Sequence, residues 1–72
     1  MNIINRPYKL KELRARYNYT QQEVADVIGI TRQYYSRLEK NESFLMKASL
    51  EIILALCKLF QVTINYFIEE YI

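Results

Sequence analysis

Proton transfer, nucleophilic attack and metal binding each need particular side chains, and this 72-residue chain lacks most of them. It has no histidine and one cysteine, Cys57, so it cannot assemble a Cys/His zinc site or close an internal disulfide. Without histidine, acid–base work would fall to a pair of carboxylates in a pocket, and the eight acidic residues show no such clustering. The sequence therefore reads as a non-enzyme with no metal and no cofactor. Cys57 itself could be a redox sensor or a core residue. It follows Leu54 and Leu50 at helical spacing, with no cationic partner evident to lower its pKa, and the core reading is preferred.

What remains for chemistry is the basic and amide side chains. Net charge is only +2, but the ten lysines and arginines are unevenly spread. Residues 1–19 hold Arg6, Lys9, Lys11, Arg14 and Arg16 against Glu12. Residues 20–41 balance Arg32, Arg37 and Lys40 against Glu23, Asp26 and Glu39, and residues 42–72 are net acidic. The result is a molecule with a basic end.

The elements that must position these groups are helical. A chain that is 51% hydrophobic and 25% charged can form a core, while one glycine and one proline are too few for the turns of an all-β protein. A single all-α domain over residues 1–72 is expected. No apolar run approaches the roughly 18 residues of a membrane span, and residues 1–7 lack the long apolar core of a signal peptide. A cytoplasmic protein with no membrane association is the expectation.

Helix signals divide the chain into five segments. Pro7 suits a first turn, and Leu10, Leu13 and Tyr17 share one face of a helix from Pro7 to Tyr17, with Asn18 as a left-handed stop. Thr20-Gln-Gln-Glu23 is a capping box for a second helix that buries Val24, Ala25 and Ile28 and breaks at Gly29. Thr31 caps a third helix that turns Tyr35 and Leu38 inward. A fourth, from Ser49 to Phe60, has an inward stripe of Leu50, Ile53, Leu54, Cys57 and Phe60 and a second apolar stripe of Ile52, Ala55 and Leu59. Thr63 opens the last helix, which buries Ile64, Phe67 and Ile68.

Two short helices around one glycine have the proportions of a helix-turn-helix. The stretch from Tyr19 to Glu39 closely resembles the Cro and lambda-repressor-like family, also called the xenobiotic-response-element family. The resemblance extends through Leu10-Lys-Glu-Leu-Arg14 and from Ser49 to Ile68, covering roughly residues 8–68. It implies a compact five-helix lambda-repressor-like fold with the helix-turn-helix at helices 2 and 3. Residues 40–48 depart from the family pattern, being a few residues longer than its usual loop and lacking its glycine and proline; Asn41 can take the left-handed conformation instead.

The resemblance also implies roles. Arg32, Gln33, Ser36 and Arg37 on the third helix match base-contacting positions, and arginine and glutamine can bond guanine and adenine edges in two-pronged fashion. Gln21 and Gln22 at the start of the second helix, with Lys40 and Lys47, match or neighbour backbone contacts. Tyr34 keeps two readings: its ring packs on the edge of the motif, or its hydroxyl reaches the DNA backbone or a base. Arg14 and Glu39 match a structural salt bridge, which takes Arg14 out of the basic patch.

The fourth helix is apolar nearly all round, interrupted by Glu51 and Lys58, and so should be buried nearly all round. Ile52, Ala55, Leu59, Tyr66, Tyr71 and Ile72 are the expected dimer surface, with Phe44, Leu45 and Met46 adding apolar area nearby. The expected function is a sequence-specific DNA-binding transcriptional regulator of phage or mobile-element repressor type, a homodimer on an inverted-repeat operator of double-stranded DNA. The alternative is an antitoxin-type or adaptor module that uses the same fold to clasp another protein.

Overall fold

Short polar residues set most of the helix boundaries. In the computed structural model, which describes residues 9–68, six helices follow one another: α1 (Lys9–Tyr17), α2 (Gln21–Ile28), α3 (Arg32–Lys40), α4 (Glu42–Met46), α5 (Leu50–Phe60) and α6 (Ile64–Ile68). Asn18 stops α1 at φ 60°. Thr20 accepts the Glu23 amide while the Glu23 carboxylate accepts the Thr20 amide, closing the capping box of α2. Gly29 ends α2 at φ 80°, its N–H donating to Ala25 O at 2.9 Å. Thr31 then caps α3 by accepting the Tyr34 amide at 3.1 Å, and Ser49 caps α5 by accepting that of Ile52.

The core draws on every helix. Leu10 and Leu13 of α1, Val24 and Ala25 of α2, and Tyr35 and Leu38 of α3 are fully buried or nearly so. Leu45 of α4, the inner face of α5 and Phe67 of α6 complete it. Two hydrogen bonds tie α1 to α5 and α6: the Tyr17 hydroxyl donates to Phe60 O at 3.0 Å, and the Lys9 ammonium donates to Tyr66 O at 2.6 Å. Lys9 is only 6% exposed, so it is withdrawn from the basic end that the sequence pattern suggested.

Three local expectations change. The five anticipated helices are joined by a sixth, α4, within residues 40–48. Asn41 is extended there, φ −138°, and not left-handed; its side chain accepts the Phe44 amide at 3.0 Å and so starts α4 where α3 stops. The inward stripe of α5 is Ile53, Leu56, Cys57 and Phe60, while Leu50 and Leu54 are 62% and 50% exposed. A helix apolar all round carries no phase of its own, and packing against α1, α2 and α6 selects the face. The anticipated helical start at Pro7, and Tyr71 and Ile72, lie outside the described residues.

Candidate nucleic-acid interface

A single buried carboxylate orients the helix-turn-helix. Glu39, near the end of α3, accepts from Arg14 Nε at 2.6 Å and Nη2 at 3.3 Å, from the Tyr35 hydroxyl at 2.8 Å and from Gln21 Nε2 at 2.9 Å. Arg14 Nη1 also donates to Tyr19 O at 3.0 Å. One anion thus joins α1, α2 and α3 and the turn before α2. Burial alone would raise the Glu39 pKa, but the hydrogen bonds from Arg14, Tyr35 and Gln21 outweigh it and hold the carboxyl below its ordinary range. Its bond to Glu39 raises the pKa of Arg14, and burial, then the hydrogen bond that Tyr35 itself gives Glu39, pushes the Tyr35 phenol far up. The network is charged on Glu39 and Arg14 and neutral on Tyr35 at any physiological pH.

Held this way, α3 turns one row outward. Arg32, Gln33, Arg37 and Lys40 are exposed and Ser36 is half-buried. At about 100° per residue these five fall within roughly 140° of arc, with Tyr35, Leu38 and Glu39 buried behind them. The row carries three cations, an amide and a hydroxyl, and no carboxylate. Its members differ in freedom. Arg32 Nη1 donates to Gln21 Oε1 at 3.2 Å, whereas Arg37 has no hydrogen-bond acceptor or ion-pair partner among the described residues and lies over the Phe44 ring.

The remaining candidates are spread around this row. Gln21 is half-buried, with its amide spending one hydrogen on Glu39 and its oxygen on Arg32, so one side-chain hydrogen is left to give. Gln22 is exposed, and its side chain donates to Asp26 Oδ1 at 2.8 Å. The opening amides of α2 have no acceptor within the helix and lie beside the row's N-terminal end. Tyr34 is half-buried with its ring edge-on to Phe44, and Lys47 is exposed just beyond α4.

Burial raises the Cys57 pKa, which keeps it a thiol in the core. The described residues hold no cluster of three or more metal-ligating side chains, and no helix among them is long and apolar enough to cross a membrane.

The other apolar surface lies on α2 and α5. Ile52, Ala55 and Leu59 are half-buried and line grooves with Val27 and Ile28, of which Val27 is 65% exposed. Tyr66 is half-buried, with the Lys9 ammonium 4.7 Å from its ring centroid. Lys9 and Phe44 sit elsewhere than the sequence pattern put them: Lys9 is buried and not part of the basic end, and Phe44, expected as apolar area near the dimer surface, packs on Arg37 and Tyr34 of α3. A lysine near the start of a helix gives no signal of burial, and the contact of Phe44 with α3 depends on α4, which no local pattern announced.

A helix-turn-helix family model matches residues 10–67, which includes every element described above except the first residue of α1 and the last of α6. The chain belongs to the Cro and lambda-repressor-like helix-turn-helix family. It is also 36% identical over 64 residues to an uncharacterized HTH-type transcriptional regulator, YgzD, of Bacillus subtilis (strain 168), an alignment that spans 86% of this chain and 92% of that protein. No solved structure matches the chain. Family proteins are DNA-binding regulators and typically not enzymes.

Proposed function

We propose that the chain is a sequence-specific DNA-binding repressor, of the type found in phage and mobile elements, that acts in the cytoplasm as a homodimer on an inverted-repeat operator. The observation that carries this reading is the acid-free row Arg32, Gln33, Ser36 and Arg37, presented by a helix whose buried side is fixed to α1 and α2 through Glu39. Arg32, Gln33, Ser36 and Arg37 read base edges. The opening of α2 with Gln21 and Gln22, together with Tyr34, Lys40 and Lys47, meets the backbone and sets the register. Repression then needs no further domain, because a bound dimer occludes the promoter.

A contrast between variants tests the assignment. Arg37→Ala or Gln33→Ala should cost about 1–3 kcal/mol at one defined base pair each. Lys40→Ala should weaken all sequences alike and flatten the slope of log affinity against log salt by about 0.9. If the three variants lost affinity in the same pattern, the division into reading and backbone contacts would be wrong.

The homodimer reading rests on α5. Glu51 and Lys58 share its outward face, seven residues apart, with exposed Leu54 and half-buried Ala55 midway between them. A second copy running antiparallel across a two-fold axis at that midpoint sets Glu51 against the partner subunit's Lys58 and the reverse, and brings Leu50 and Leu54 onto the partner's Leu59 and Ala55. Under oxidation Ala55→Cys should cross-link to its own copy, and Leu54→Asp should give a folded monomer by sedimentation equilibrium. A wild-type monomer that co-purifies with an unrelated chain would favour the antitoxin or adaptor reading.

A further inference from the structure

Within residues 40–48, α4 sends one aromatic ring to α3. The Arg37 guanidinium carbon lies 4.4 Å from the Phe44 ring centroid. Tyr34, one turn earlier on α3, meets the same ring edge-on, with centroids 5.5 Å apart and planes 75° apart. The Phe44 amide donates to Asn41 Oδ1, and the next residue, Leu45, is 3% exposed in the core. The ring is therefore fixed from its backbone outward.

A guanidinium over a ring spends no hydrogen-bond acceptor on that contact, and its N–H edge is the fork that matches a guanine. Arg37 has no acceptor among the described residues, so this fork is free. An unrestrained arginine would lose its rotamer freedom on binding a base, whereas one held over a ring has lost part of it in the free protein.

We infer that Phe44 is a specificity-determining positioning residue, which holds the Arg37 guanidinium against α4 with its N–H donors open for a base pair. The inference rests on the reading of α3 as the base-reading helix. Phe44 touches no base itself; it acts through Arg37, and Tyr34 packs against the same ring.

The test uses the full chain and a duplex selected by the wild type from a random pool. Arg37→Ala first defines the base pair that Arg37 reads, as the position where preference disappears. Phe44→Leu keeps apolar volume and removes the ring face; it should lower discrimination at that base pair about two- to fivefold, the scale of an exposed cation–π contact. Preference at the position lost in Gln33→Ala should stay unchanged, the melting temperature should fall by no more than about 12 °C through the lost Tyr34 ring contact, and Phe44→Tyr should keep wild-type discrimination. In the free protein the Arg37 side-chain resonances should carry a ring-current shift that Phe44→Leu removes. If Phe44→Leu does not fold, Phe44→Met serves the same comparison. A sequence-selective wild type whose Phe44→Leu form keeps or gains preference at the Arg37 position overturns the role of Phe44 alone. A folded wild type that selects no sequence overturns the base-reading assignment and this inference with it.

Discussion

Replacing Arg14 with alanine separates a structural role from a DNA-binding one. The substitution removes the two donors at 2.6 Å and 3.3 Å and leaves a Glu39 side chain, only 5% exposed, with Tyr35 and Gln21 as its remaining donors. Opposite charges about 4 Å apart attract by about 4 kcal/mol at an effective dielectric near 20. Breaking one side of a buried pair costs about 3–5 kcal/mol. Arg14 is 17% exposed, so solvent screens part of the attraction and the lower end applies, about 3–4 kcal/mol. For a domain of this size that is a fall in melting temperature of about 12–30 °C, followed by circular dichroism at neutral pH. Arg16→Ala, an exposed arginine on the same helix, is the control and should stay within about 0.5 kcal/mol of wild type. A fall below about 4 °C for Arg14→Ala would put the pair among ordinary surface ion pairs. Lost DNA binding with unchanged melting would move Arg14 to the interface and refute the reasoning.

The same carboxylate predicts an acid limit. Because the folded Glu39 pKa is depressed, its contribution to stability is complete above the unfolded-state value, near about 4.3, and disappears as pH falls through the lower folded value. Glu39→Gln should flatten the acid limb of a plot of stability against pH. At the alkaline end the raised Tyr35 pKa makes its contribution complete below about pH 10 and lost as pH rises beyond, a limb that Tyr35→Phe should remove. Gly29→Ala meets no atom within 4 Å, so its cost is the left-handed backbone alone; urea unfolding should show a loss of about 1–2 kcal/mol, smaller for Gly29→Asn. Thr20→Ala opens the capping box and should cost about 1 kcal/mol by the same measurement.

The sequence made legible those features that a few neighbouring residues determine. Thr20 with Glu23, Gly29 and Thr31 each act on amides or dihedrals within four residues, and all of them appear in the structure in those roles. Asn41 shows the limit of that reasoning. The same residue type serves as a left-handed stop or as an N-cap, and only the packing of Leu45 into the core selects the second and so creates α4. The phase of α5 was illegible for a related reason. Leu50, Leu54 and Leu56 are chemically alike, and the fully buried Leu56 is chosen by what α1, α2 and α6 offer it. Lys9 is fixed by a carbonyl 57 residues away, a contact that no local pattern encodes. At the interface the residue types on α3 could be read directly, whereas the relations between them, Arg32 on Gln21 and Arg37 on Phe44, depended on tertiary placement.

Selection of bound duplexes from a random-sequence pool at near-physiological salt tests the central claim most directly. Enrichment of an inverted repeat, with half-sites about one helical turn apart, is the predicted result, and it would report base reading by α3 and two-fold symmetry together. Recovery of no preferred sequence by protein shown to be folded would contradict the account.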